Sequence, residues 1–230
     1  MPVLLEAVDV IKDYFVRDVQ TRALNGLSLQ IEPGEITTLA GPSGCGKTSL
    51  LNLLGTLDLP TEGEILVAGG RVSEMSEAER ADLRLRKMGF IFQAYNLIPV
   101  LTATENVEFV LLLQGISAGG RRERAARVLV DLGLGELLDK RPPEMSGGQQ
   151  QRVAVARAIA AQPEIILADE PTANLDSKTA ASLLDLMYDM NQKSGATFVF
   201  STHDPQVMER AGRILRMVDG QIVKDEKIRS

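Results

Sequence analysis

Residues 41–48 read Gly41-Pro42-Ser43-Gly44-Cys45-Gly46-Lys47-Thr48, and the fold is read outward from this octet. Before it lies a short β-rich run, residues 36–40. After it, residues 48–57 carry the apolar spacing of a helix. G-x-x-x-x-G-K-[ST] between a strand and a helix is a phosphate-binding loop. Its glycines let successive backbone N–H groups turn toward one anion, and the helix adds its positive end. Lys47 has the reach for β- and γ-phosphates, and the Thr48 hydroxyl suits Mg²⁺. Ser49, next along the helix, is counted with the loop as a nucleotide-binding position. A chance glycine turn would lack this strand-to-helix context. Cys45 reads as a small loop residue, since a redox role needs an exposed, electropositive thiol.

A second element completes such a site. Ile165-Ile166-Leu167-Ala168-Asp169-Glu170 is an apolar strand ending in two acids. Strand side chains alternate, so the two carboxylates point differently. Asp169 is assigned to the metal and Glu170 to polarising the attacking water as general base.

Around these motifs strands alternate with helices, the pattern of an α/β fold with a mainly parallel sheet. Residues 3–10, 24–31 and 65–68 read as an N-terminal antiparallel β-layer, with turns at Pro33-Gly34 and residues 60–63. Ser76 and Glu79 have capping-box spacing ahead of a helix carrying Leu83 and Met88. Residues 90–92, 165–168 and 197–201 read as buried strands. Residues 177–191 form an amphipathic helix, and residues 214–218 and 221–223 a terminal hairpin around Asp219-Gly220. From about 94 to 160 the chain is helix-like without clear strands. The expected fold is one domain over residues 1–230: a P-loop NTPase α/β core with an N-terminal antiparallel β-layer and an α-helical subdomain inserted at about 94–160.

The 230 residues are 44% hydrophobic and 24% charged, ordinary values for a globular domain. A net charge of -6 lacks the basic footprint of a nucleic-acid binder. The single cysteine rules out an intrachain disulfide and suits a reducing compartment. No apolar run nears the roughly 18 residues of a membrane span, and the N-terminus lacks the basic start of a signal peptide.

Met145-Ser146-Gly147-Gly148-Gln149 precedes a helical run through Ala158. Ser146 is placed as the helix cap, and the glycines expose backbone N–H groups at a positive helix end. That makes a second phosphate site without a lysine of its own. At this point the chain resembles the ABC ATPases, whose signature is Leu-Ser-Gly-Gly-Gln, with Met145 in place of leucine. The resemblance covers nearly the whole chain with the motifs in family order. It implies that Tyr14 stacks on adenine, with adjacent Phe15 the other choice. Gln93 contacts Mg²⁺ and senses the γ-phosphate, the loop Ala173-Asn174-Leu175-Asp176 crosses between subunits, and His203, the only histidine, is the switch residue. Ser146, Gly147, Gly148, Gln149 and Asp176 join the nucleotide-binding set.

The resemblance also implies a mechanism. Two cassettes pair head to tail around two ATP, each held between the P-loop of one and the signature of the other. Glu170, His203 and Lys47 are the catalytic residues, and Thr48, Gln93 and Asp169 the metal set. The cofactors are ATP and Mg²⁺. The partners are integral membrane permease subunits and a second copy of the ATPase, not nucleic acid, with the chain on the cytoplasmic face of the membrane. Residues 94–101 form either the groove for a coupling helix or the core of the helical subdomain. Residues 90–107 and 166–172 are similar to the lipoprotein-releasing and macrolide-efflux group, which implies export; mechanical signalling through a membrane partner without a cargo stays open.

Other classes lack their marks here. DNA-repair and chromosome-structure types place a long coiled coil between P-loop and signature, and this chain has about a hundred residues there without sustained heptads. No Asn-Lys-x-Asp guanine reader is present. Arg121, Arg122, Arg124 and Arg127 form the one basic cluster, read as a solvated helix face.

Overall fold

The structure, a computed structural model, describes residues 3–17 and 19–228. In chain order it contains β1 (Leu5–Val16), β2 (Val19–Ile31), β3 (Ile36–Ala40), α1 (Lys47–Leu54), β4 (Glu62–Val67), β5 (Gly70–Arg71), α2 (Glu77–Lys87) and β6 (Met88–Ile91). Three helices follow, α3 (Ala103–Leu113), α4 (Ala118–Asp131) and α5 (Gly147–Ala160). The chain closes with β7 (Ile165–Asp169), α6 (Ser177–Ser194), β8 (Thr197–Thr202), α7 (Pro205–Arg210), β9 (Arg213–Val218) and β10 (Gln221–Lys227). Among the described residues no strand lies between β6 and β7.

Two sheets are stacked. One is antiparallel, ordered β2-β1-β4-β5; the other is ordered β10-β9-β3-β8-β7-β6, with β10 antiparallel on its edge and the other five strands parallel. All five residues of β3 and all six of β8 are buried, as strands covered on both faces must be. The period-2 alternation divides their side chains between two cores. Phe198, Phe200, Ile166 and Ala168 face the side of α6 and the three central helices. Val199, Leu39, Ile165 and Leu167 face α1 and the antiparallel sheet. This sandwich puts α1 between the two sheets and aims the carboxyl ends of β3, β8 and β7 at one edge, where open α/β sheets bind ligands.

Several boundaries differ from the sequence expectation. β1 and β2 continue well past residue 10 and begin well before residue 24, as a long hairpin whose register is broken by bulges. The bulges interrupt the alternation on which the reading relied. The first helix stops at Leu54 because Gly55 caps it and Thr56 takes a positive φ of 54°. Met88 opens β6 rather than closing α2. The Ser76–Glu79 capping box and the Asp219-Gly220 turn, both residues at positive φ, are formed. In the basic cluster Arg122 and Arg127 are exposed and paired with Asp139 and Glu123. Arg124 instead turns inward and is only partly exposed.

Candidate functional site: a phosphate loop, an acidic strand end and a separate glycine cap

The loop after β3 folds as its glycines require. Gly44 and Gly46 have φ of 81° and 102°, in the left-handed region that favours glycine. A side chain at Gly46 would also meet the Ala23 carbonyl oxygen at 2.5 Å, so the loop is pressed against β2. Pro42, Ser43 and Gly44 are exposed, and Gly41 partly so, while Cys45 and Gly46 are buried. Cys45 is 3% exposed and belongs to the core beneath the loop, which removes the exposed setting a redox thiol needs.

Lys47 is 7% exposed. Its Nζ donates to the carbonyls of Gly41 (2.7 Å) and Pro42 (3.0 Å) and lies 3.9 Å from Glu170 Oε1. The ammonium is thus held at the loop mouth, its charge offset by Glu170. Thr48 Oγ1 sits 3.2 and 3.1 Å from the two Asp169 oxygens. Ser49 follows on α1, partly exposed.

The acids diverge as alternation requires. Asp169 faces Thr48. Glu170, at φ 45°, a left-handed conformation that an L side chain adopts at a cost, turns toward β8. There His203 Nδ1 lies 2.9 Å from Glu170 Oε1, and the Thr202 hydroxyl lies 3.4 Å from Oε2. The His203 side chain is 65% exposed.

Sequence reasoning missed Ser201. Its hydroxyl donates to Asp169 Oδ1 and accepts from the Glu170 amide at 3.2 Å. One buried serine therefore orients both acids. Its only trace in the sequence is its place two residues before His203. Removing the hydroxyl forfeits about 1.5 kcal/mol of positioning hydrogen bonds. Ser201→Ala is expected to lower turnover about tenfold with nucleotide affinity kept, as steady-state kinetics and titration calorimetry would read.

Tyr14 sits partly exposed on β1, opposite Thr21 of β2, two residues from the Ala23 that touches Gly46. Phe15 points to the other strand face and is 68% exposed. The side chain of Gln93 is exposed and makes no hydrogen bond to Thr48 or Asp169; its carbonyl accepts from Asn174 Nδ2 at 3.0 Å. Asn174 thereby ties the segment before α6 to the segment after β6. Asp176 caps α6 through the amides of Lys178 and Thr179, and the Thr179 hydroxyl bond holds its carboxyl below the usual range. Arg157, also unforeseen, donates to the carbonyls of Tyr95 and Asn96, two residues at positive φ, and burial pushes its pKa down.

The glycine cap stands apart. Ser146 and Gln149 form a capping box on α5, with Ser146 Oγ accepting from the Gln149 amide at 3.3 Å, so its proton is free to donate elsewhere. First-turn amides of a helix have no intrahelical acceptor. A side chain at Gly148 would meet Thr179 Cγ2 at 2.7 Å, so any larger residue there must displace Thr179. These residues line a concavity of about 400 Å³ with Gly133, Arg152, Asn174 and Asp176, and no residue of the phosphate loop lines it. Within one chain the two phosphate-binding elements do not meet.

A third feature is a groove of about 400 Å³ with Phe90, Phe92, Phe109, Leu113, Arg84 and Arg157 in its walls. Phe109 and Leu113 are 43% and 57% exposed. Of residues 94–101, read as either a groove or the core of the helical subdomain, Asn96 lines this groove, Leu97 packs on the central core and Val100 is 71% exposed. Its walls come from α2, from β6 and the residues just after it, from α3 and from α5.

The ABC transporter family matches residues 24–173, which spans the loop, the acids and the glycine cap. The chain belongs to the ABC transporter ATP-binding family. It is an ATP-binding cassette and an ATPase. An ABC transporter ATP-binding protein of Methanocaldococcus jannaschii is 47% identical over 96% of this chain and 98% of its own. The lipoprotein-releasing system ATP-binding protein LolD of Anaeromyxobacter dehalogenans is 44% identical over 96% of this chain and 93% of its own. The macrolide export ATP-binding/permease protein MacB of Hyphomonas neptunium is 47% identical over 97% of this chain, which spans 35% of that longer protein. The structure of the cassette MJ0796 as a dimer in a post-hydrolysis state, bound to ADP and Pi, superposes with a TM-score of 0.93 at 41% identity, covering 99% of this chain and 100% of that one. No helix among the described residues of the cassette is long and apolar enough to cross a membrane.

Proposed function

We propose that the cassette closes as a head-to-tail dimer around two ATP and drives integral membrane permease subunits from the cytoplasmic face of the membrane, in an export or extrusion system. The observation that carries this is the separation of Ser146, Gly147 and Gly148 from the phosphate loop within one chain. A second copy brings its own cap over the bound γ-phosphate. The permease segment docks in the groove beside Phe109 and Leu113. That groove is joined to the Gln93 segment through Arg157, and so nucleotide state is passed to the membrane.

The chemistry falls to residues already placed. ATP lays its phosphates on the amides of residues 43–48. Lys47 leaves the Gly41 and Pro42 carbonyls for the β- and γ-phosphates. Thr48 and Asp169 fit Mg²⁺, a hydroxyl and a carboxylate being the hard oxygen donors it takes beside phosphate and water; the ion supplies charge neutralisation on the phosphates when bound. Glu170, released from Lys47, accepts a proton from the attacking water. The water oxygen bonds to the γ-phosphorus, the bond to the β–γ bridging oxygen breaks, and ADP and phosphate result. His203 donates a hydrogen bond to the γ-phosphate, and Tyr14 stacks on the base. Gln93, on the segment tied to Asn174, swings in to sense the γ-phosphate.

Mixing inactive variants tests the arrangement. Lys47→Ala and Ser146→Arg each disable both sites of their own homodimer. In a mixed dimer the two lesions share one site and leave the other whole. Activity is expected to rise on mixing toward about one quarter of wild type, half the pairs being mixed with one working site of two. No recovery in a mixture shown by mass to contain mixed dimers would rule out head-to-tail sharing.

A further inference from the structure

A charged cluster beside the Tyr14 ring lies outside the reacting atoms. Lys12, on β1 two residues before Tyr14, keeps its side chain 12% exposed. Its Nζ donates to Asp58 Oδ1 at 2.7 Å and to the Leu59 carbonyl at 2.8 Å. The same ammonium lies 5.0 Å from the centroid of the Tyr14 ring. Tyr14 Oη lies 3.4 Å from the other Asp58 oxygen. Burial pushes the Asp58 carboxyl up, but the Lys12 and Leu59 bonds outweigh it, and the net shift is downward. Asp58 therefore serves as an anion, bonded to the cation that faces the ring and to the hydroxyl at the ring's end.

Asp58 also sits just beyond α1. The amides of Leu57 and Asp58 both donate to the Asn52 carbonyl, at 2.9 and 3.3 Å. The helix whose first turn receives the phosphates is thus tied, beyond its last turn, to the aromatic ring.

We propose that Lys12 and Asp58 are positioning residues for adenine, clamping Tyr14 against the far end of the phosphate-loop helix so that base and phosphate subsites are set by one rigid element. This rests on the reading of Tyr14 as the base-stacking ring. The ammonium near the ring adds a cation–π attraction and fixes the ring plane before nucleotide arrives, which lowers the ordering cost of binding. The side-chain partners of Lys12 and Asp58 are each other, Leu59 and Tyr14 rather than the phosphate loop or the acids after β7, so the pair acts on base affinity.

The test compares MgADP with magnesium pyrophosphate by titration calorimetry, the second probe carrying no base. Lys12→Met and Asp58→Asn are each expected to weaken MgADP about fivefold and leave pyrophosphate unchanged. Lys12→Arg is expected to retain wild-type affinity. In turnover, Lys12→Met is expected to raise KM with kcat held. Equal weakening of both probes would make Asp58 a support of α1 and overturn the proposal. Tyr14→Ala is the control on the underlying reading. Loss of MgADP affinity there with none in Lys12→Met would leave the base reading intact and remove the clamp. Loss in Phe15→Ala but not in Tyr14→Ala would remove the base reading, and the clamp with it.

Discussion

Replacing Glu170 with Gln is expected to lower ATP turnover by roughly 10³-fold while ATP still binds. The carboxylate is the one base at the end of β7 that is not committed to the metal pair, since Asp169 faces Thr48 and Ser201. General bases contribute about 10²–10⁴, and the amide has nearly the same shape but takes no proton. The His203 contact at 2.9 Å can be kept, since the Gln oxygen still accepts. Losing a carboxylate beside Lys47 also leaves that ammonium freer for phosphate, so affinity is expected to hold or tighten. Single-turnover hydrolysis and nucleotide titration read the two effects separately. A parallel fall in both would contradict the division of roles.

Lys47→Ala is expected to act on the other quantity, weakening MgATP roughly 100-fold. The side chain is the charged donor at the loop mouth, where its ammonium donates to two carbonyls and is approached by Glu170. Those contacts are exchanged for two phosphate groups at little rearrangement cost. A charge-assisted hydrogen bond contributes about 1.5–3 kcal/mol, and two at the lower figure come to about 3 kcal/mol, or two decades. Folding is expected to change little, because removing the cation leaves Glu170 its contacts with the exposed His203 ring and the Thr202 hydroxyl. Calorimetry would read the affinity and thermal unfolding the fold. Wild-type affinity in this variant would mean that the loop amides alone hold the phosphates.

The parts that local chemistry forces were legible in the sequence. The octet at residues 41–48 needs its glycines for positive φ and close approach to β2. The acids need an apolar strand to aim them, and Ser146 with Gln149 writes its own cap. What escaped is what depends on distant partners. Ser201 orients Asp169 from a neighbouring strand 32 residues away, and Arg157 reaches back 62 residues to Tyr95. Neither distance leaves a periodic mark. The β1–β2 hairpin extends beyond its alternating part because its exposed, bulged half follows no clean period. The walls of the groove also join distant segments, since pairing of β6 beside β7 sets Phe90 and Phe92 in one groove with Phe109 of α3. The Lys12–Asp58 pair likewise spans 46 residues and exists only because α1 lies between the sheets.

Head-to-tail closure on ATP is the claim on which the rest depends, and solution mass measures it most directly. Light scattering of Glu170→Gln in MgATP and then in MgADP compares the two states on one sample. In MgATP the mass is expected to be twice that of the 25.0 kDa chain, falling to a single chain in MgADP. The same mass in both nucleotides, whether monomer or fixed dimer, would contradict closure driven by ATP.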